Sequence, residues 1–337
     1  MFKKRIAAAI VGLAAFTLAL SGCSGSAGAG AGSGEAGGAD GAKVAYLTVS
    51  QTCEYCARQA EAFTDAMEEA GAELTVSTTD FDAAEQAQQI NQAISTNPDL
   101  IVVWPTDNTS IIPALQRIKQ AGIPVLVTTY LPATDDTSLW TAWVGPDDKG
   151  LGEQAAEALV AGLDAAGIEP SGSVVEVTGV PGGGSTIDRG EGFAKKLAEI
   201  APDITIVGSQ PGNWDQTQAT TAAAQLFSQY GGDDLIGLFG QADNMVAGAI
   251  VAAEQAGYQP GQDLVMVGSD CTIEGYTNIE NGKQFGTNLQ DPVVDGDTIA
   301  ETAIALLNGE DVENITYIDT PSITLENLSE CAPAVGK

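Results

Sequence analysis

Asp243 and Asp270 each follow closely on a short apolar run, Leu235 to Phe239 and Leu264 to Gly268. A carboxylate accepts hydrogen bonds at several lone-pair sites, which suits a hydroxyl-rich ligand, although Asp also caps helix N-termini. Two at equivalent places point beyond capping. Arg189 lies in Asp188-Arg189-Gly190-Glu191-Gly192-Phe193. Its rigid guanidinium can bind two adjacent hydroxyls or a carboxylate, the alternative being an ion pair with Asp188 or Glu191. Just upstream, Val180-Pro-Gly-Gly-Gly-Ser-Thr186 is expected to join a strand to a helix. Backbone N–H groups at such a helix start can hold an anion or an oxygen-rich ligand, or the loop is a plain turn. Five aromatics, Trp104, Tyr130, Trp140, Trp143 and Trp214, fall at or near expected loops and could stack on the C–H face of a ring. Trp214, in Pro211-Gly-Asn-Trp-Asp215, has the most polar setting. The chain has no histidine, which excludes Ser-His-Asp and Cys-His catalysis and removes the commonest metal ligand. No metal site or cofactor is expected.

The elements that must position these residues show an internal repeat. Asp234-Leu-Ile-Gly-Leu-Phe-Gly-Gln-Ala-Asp243-Asn244 echoes Asp99-Leu-Ile-Val-Val-Trp-Pro-Thr-Asp107-Asn108, and each is followed by a helical stretch ending in Gln-Ala-Gly. Repetition of this kind predicts two similar α/β lobes. Apolar runs this short suit parallel strands covered on both faces, and ligands in such sheets bind beyond the strands' carboxyl ends, where Asp107 and Asp243 would sit. The first lobe alternates strands over 43–49, 73–78, 100–104, 125–129 and 139–144 with helices over 53–70, 83–96 and 110–121. The second continues with helices over 147–166, 186–200, 217–230 and 245–256, and strands over 174–178, 205–208, 235–239 and 264–268. A short helix, a strand over 285–289, a helix over 298–308 and a strand near 315–318 follow. That is more than the second lobe needs, so the chain is expected to return to the first, giving several hinge crossings. Alternation of this type predicts right-handed crossovers and parallel sheets.

The chain opens with Lys3, Lys4 and Arg5, then an apolar stretch from Ile6 to Leu20 that is short for a membrane span and reads as a signal-peptide core. Leu20-Ser21-Gly22-Cys23 resembles the lipobox of bacterial lipoproteins, which implies cleavage before Cys23 and a lipid on its thiol. Residues 24–41 are nearly all Gly, Ala and Ser, the composition of a flexible tether. The expected address is thus extracytoplasmic and lipid-anchored. The net charge of −32 argues against nucleic acid as a partner and reads as solubility outside the cell.

Cys53, Cys56, Cys271 and Cys331 remain, and export predicts that they pair. Four cysteines allow three connectivities. Proximity favours Cys53 with Cys56, leaving Cys271 with Cys331. The Cys-x-x-Cys could alternatively be a redox motif of a thiol oxidoreductase, or half of a four-thiolate zinc site, although only one close pair is present.

With these residues in view, the chain resembles the type I periplasmic-binding-protein fold of the ribose-binding-protein group, the solute receptors of sugar ABC importers. The resemblance is carried by Asp188-Arg-Gly-Glu-Gly-Phe193, Phe239-Gly-Gln-Ala-Asp243-Asn-Met-Val-Ala-Gly-Ala249, Val267-Gly-Ser-Asp270, Asn281-Gly-Lys283 and Asn288-Leu-Gln290. It implies ligand contacts from Arg189, Trp214, Asp243, Asp270 and Gln290, with Tyr130 a further aromatic candidate from its position. It also implies three hinge crossings, near Gly145 to Asp147, near Gln290 and near Pro321, with a first lobe over 43–146 plus 291–320 and a second over 147–290 plus 321–337. Three places depart from the family's pattern. Ala242 stands for an Asn, Thr129-Tyr130 for an Asp-Arg pair, and Gln51-Thr-Cys53-Glu-Tyr55-Cys56 replaces a polar and aromatic first loop. The expected function is capture of a small sugar or polyol between the lobes by a monomer, for delivery to an ABC permease, without catalysis. An amino acid, nucleoside or signalling molecule is the alternative ligand.

Overall fold

The computed structural model describes residues 38–51 and 53–337. The expected signal peptide and Cys23 lie outside the described residues, as does most of the expected tether. From Lys43 the chain runs β1 (Lys43–Thr48), α1 (Glu54–Glu69), β2 (Glu73–Thr78), α2 (Ala83–Thr96), β3 (Leu100–Val103), α3 (Ile112–Ala121), β4 (Val125–Thr128) and β5 (Ala142–Pro146). It continues through α4 (Asp148–Ala166), β6 (Gly172–Thr178), α5 (Gly184–Ile200), β7 (Ile204–Pro211), α6 (Gln216–Tyr230), β8 (Leu235–Gly240), α7 (Asp243–Ala256), β9 (Val265–Val267), α8 (Ile273–Glu280) and β10 (Gly286–Asn288). It ends with α9 (Pro292–Leu307), β11 (Ile315–Ile318) and β12 (Ser322–Thr324).

These strands form two six-stranded sheets, ordered β11-β5-β4-β3-β1-β2 and β12-β10-β9-β8-β6-β7. The repeated stretches become β3 and β8, which hold the same place in the two orders. Both are buried along their whole length, because helices cover both faces of each sheet. On one face of the first sheet, Phe63 and Met67 of α1 pack with Ile299 and Ala303 of α9; on the other lie Ile90, Leu115 and Ile118. The second sheet is covered by α6 and α7 on one side and by Leu159, Phe193 and Leu197 of α4 and α5 on the other. The α4–α5 crossing is close because Gly152 and Gly192 meet backbone oxygens of the opposite helix, where a Cβ has no room. One turn from Gly152 stands Asp148, so this contact sets Asp148 beside Arg189 of α5.

The chain crosses between the sheets three times: from β5 into α4, from β10 into α9, and from β11 into β12. The sequence pattern misses two features here. β12 is an edge strand antiparallel to β10, three residues long and too short to carry a pattern. The stretch expected as a strand over 139–144 begins later, at Ala142, because Thr137–Leu139 closes a short 3-10 turn capped by Asp136. Asp107 caps its own loop, accepting from Thr109 N at 2.9 Å and Ser110 N at 2.5 Å, and is a turn residue.

Candidate ligand-binding site

Between the two sheets lies a cavity of about 480 Å³, the size of an ordinary small-molecule site. Its walls come from segments that follow the carboxyl ends of strands in both lobes, including Tyr55, Trp104, Tyr130, Trp214, Asp270 and Gln290. Four of the segments hold a non-glycine residue at positive φ: Phe81 at 56°, Thr129 at 59°, Trp214 at 60° and Asp270 at 96°. Backbone strain of this sort persists only where the surroundings impose it, and it gathers at ligand sites.

Arg189 is the centre of the polar wall and is almost fully buried. Its Nε donates to Asp148 Oδ1 at 2.8 Å, and Nη1 donates to Gln241 O at 2.6 Å and to Asp270 Oδ1 at 3.0 Å. Nη2 donates to Gln290 Oε1 at 2.7 Å. Four of the five guanidinium N–H groups are thereby engaged. Burial works against the charge, but the flanking carboxylates of Asp270 and Asp148 outweigh it and hold the side chain protonated. The ion pairs with Asp188 and Glu191 that were the alternative for Arg189 belong to the exposed Lys149. Asp270 is pushed above its ordinary range by burial, against the pull of Arg189. Its backbone N–H bonds to Asn288 O at 3.1 Å, tying the loop after β9 to the hinge strand.

Gln290 joins the lobes. Its side-chain oxygen accepts from Arg189, while Nε2 donates to the Tyr55 hydroxyl at 2.8 Å. Tyr55 in turn donates to Asp295 at the start of α9. Burial raises Asp295 to about 7, opposed by its bonds from Tyr55 and Gln290. A continuous buried chain of polar groups thus runs from Asp148 through Arg189, Gln290 and Tyr55 to Asp295.

Trp214 lies flat against Gly179, where a Cβ would collide with the ring, and sits 5.8 Å from the Arg189 guanidinium carbon. Tyr130 packs edge-on to Trp104 at 6.0 Å between centroids and covers Gly184, whose added Cβ would be 3.0 Å from the tyrosine ring. This cover corrects one of the two readings of Val180 to Thr186, the anion site, and leaves the plain turn: only Ser185 of that stretch reaches the cavity, and its hydroxyl is spent on Asp148. Trp140 and Trp143 are core residues on the far side of the first sheet.

Asp243 is the second correction. It is fully buried and turned away from the cavity, whose wall takes its neighbours Ala242 and Asn244 instead. Its carboxylate accepts from Gln284 Nε2 at 2.6 Å, Thr287 Oγ1 at 2.9 Å and Thr272 N at 3.1 Å. Burial and the neighbouring Asp270 nevertheless raise it to about 8. Asp243 braces the loop that presents Asp270. The disulfides join Cys53 to Cys56 and Cys271 to Cys331, with Cα separations of 5.2 Å and 5.9 Å. The first closes the opening turn of α1, where Cys53 is the cap residue, and both border the cavity.

Sequence reasoning passed over Asp148, Gln241, Asn244 and Asp295. Asp148 and Asp295 look like ordinary first-turn acids, whose charge is already explained by the helix dipole. Gln241 and Asn244 flank Asp243 in the repeated stretch, and that adjacency was the signal for them. Tyr55 stands inside the Cys-x-x-Cys loop, where the cysteines drew the attention.

The family model of the periplasmic binding protein domain matches residues 44–311. This chain belongs to that family. Among curated periplasmic binding proteins it is 30% identical over 256 residues to a xylitol-binding protein of Mycolicibacterium smegmatis, covering 76% of this chain and 70% of that one. It is 28% identical over 232 residues to a ribose import binding protein of Bacillus subtilis, covering 69% and 70%. A solved ABC transporter solute-binding protein of Bacillus halodurans with bound myo-inositol superposes with a TM-score of 0.78 at 25% identity, covering 88% of this chain and 99% of that one. Periplasmic binding proteins of this type thus share the present fold across nearly its full described length.

Proposed function

We propose that this chain is the solute receptor of an ABC importer and captures a small sugar or polyol between its lobes. The observation that carries the reading is the buried Arg189–Asp270–Gln290 cluster at the wall of the inter-lobe cavity, in a chain whose relatives are named for xylitol and ribose. Asp270 offers acceptors, Arg189 retains one N–H, and Trp214 and Tyr130 offer flat faces to the C–H side of a carbon skeleton. Asp243 supports this set without touching the solute. The lobes comprise 43–146 plus 291–320 and 147–290 plus 321–337, hinged at the three crossings. Closure excludes water, so each hydrogen bond to a hydroxyl strengthens and each unmatched polar group costs about 1–3 kcal/mol. Cys23 carries lipid that holds the receptor at the outer face of the membrane, and the closed monomer docks on a membrane permease.

The test is mass spectrometry of solute retained on purification, followed by thermal denaturation against pentoses, hexoses, pentitols and inositols, with amino acids and nucleosides beside them. A bound solute raises the melting temperature. A rise confined to amino acids or nucleosides overturns the carbohydrate reading.

A further inference from the structure

The lining of the cavity is segregated by lobe. From the second lobe and hinge come the groups with unused hydrogen-bonding capacity. Asp270 keeps Oδ2 free while Oδ1 takes Arg189. Asn244 donates from Nδ2 to Trp214 O at 2.8 Å and keeps its side-chain oxygen. Arg189 keeps its fifth N–H. The first-lobe wall is built from one hydrophobic cluster: Trp104 and Tyr130 with Tyr55, Phe81 and the Cys53–Cys56 bridge.

Several polar atoms beside that cluster are already engaged or shut away. The Tyr55 hydroxyl serves Asp295 and Gln290. The Tyr130 hydroxyl reaches Trp214 and Ser185 across the cleft. Thr129 Oγ1 accepts from Gln59 Nε2 at 3.3 Å. Trp104 Nε1 is buried without a partner and offers the cavity no exposed donor. The charged side chains on this side are Glu54, which is exposed, and Arg58, which gives one N–H each from Nη1 and Nη2 to Ala334 O at 3.2 Å and keeps three. A hydroxyl pressed against Phe81, Trp104 and the Cys53–Cys56 bridge would lose its water and find nothing in exchange, whereas an apolar group there would lose nothing.

We propose that the solute is amphiphilic: a polyhydroxylated part held by Asp270, Asn244 and Arg189, joined to an apolar part seated against Phe81, Trp104 and the Cys53–Cys56 bridge. The chemical class is a deoxy sugar, or a sugar or polyol carrying an alkyl or aryl substituent. This inference rests on the carbohydrate reading above and narrows it.

Isothermal titration calorimetry on matched pairs tests it: L-fucose against L-galactose, L-rhamnose against L-mannose, and methyl and phenyl ribosides against ribose. The apolar member of at least one pair should bind about tenfold tighter or more, the scale of one buried unmatched hydroxyl. Phe81→Asn should shrink that ratio. Phe81 has a φ of 56°, a conformation Asn adopts readily, so the variant suits the backbone. If the parent sugar binds as tightly as its apolar partner, or more tightly, in every pair that binds, the segregated-wall inference is overturned and the receptor reading stands. If no member of any pair binds while another plain sugar or polyol does, this inference is overturned and the receptor reading stands; if no sugar or polyol binds at all, the carbohydrate reading falls and takes this inference with it.

Discussion

Asp270 and Asp243 show how two similar residues at similar chain positions come to different work. Asp270 sits at a strained φ of 96° with one oxygen on Arg189 and one facing the cavity. In Asp270→Ala the solute loses its acceptor, and affinity by calorimetry should fall tenfold or more, about 1–3 kcal/mol. Asp243 is instead ringed by donors inside the second lobe, yet burial lifts it from the ordinary 3.8 to about 8. Between those two values the folded state holds a proton that the unfolded chain has released, so stability must fall as pH rises through this window. The contribution is fully present below about 4 and gone above about 8. Asp243→Asn cannot titrate, and its denaturant midpoint should fall less between pH 5 and pH 8 than that of the parent chain. An equal fall in both would reject the burial argument. Residue type and the resemblance together named Arg189, Asp270, Trp214 and Gln290, and position near an expected loop added Tyr130. None of these could separate Asp243 from the rest, since what turns that carboxylate inward is the position of Gln284 and Thr287, some forty residues on.

At the scale of elements, the strands and helices of both lobes were legible because buried parallel strands are apolar without interruption and the covering helices keep their spacing. Boundaries slipped where side-chain caps decide them. Asp291 and Pro292 start α9 well before the 298 expected from the apolar pattern, because Asp291 accepts from Val293 N and proline suits the first helical turn. The short antiparallel β12 had no pattern to show. The close approaches were equally hidden, because glycine announces freedom but not what fills the space beside it. Gly179, at the end of β6, lies under Trp214, and Gly152 lies under the Arg189 carbonyl. Gly179→Ala should therefore push the indole aside, shift its fluorescence and weaken solute binding, with a stability loss of about 1–3 kcal/mol from overpacking. An unaltered emission spectrum with intact binding would show that the ring does not need that glycine.

For the whole molecule, the decisive feature is that the polar chain from Asp148 to Asp295 spans the hinge, so parting the lobes must break it at Gln290 or Tyr55. Each of these groups would then meet water, and in the receptor proposed above a bound solute would select the closed form over the open one. Small-angle scattering should show a smaller radius of gyration on adding the retained solute, and an unchanged radius with proven binding would mean that closure is not coupled to capture. The two-lobe plan itself was readable from the repeat of β3 in β8, which occupy matching places in the two sheets. The return of α9 and β11 to the first lobe was readable only as surplus elements.

Ala334, Val335 and Gly336 form part of the cavity rim, and Arg58 from the opposite lobe grips Ala334. When the halves swing apart that grip must let go, and the Ala334 carbonyl meets water instead of the guanidinium. Amide hydrogen exchange around Ala334 should accordingly be quicker in the empty receptor than in the loaded one, a gauge of occupancy that needs no label.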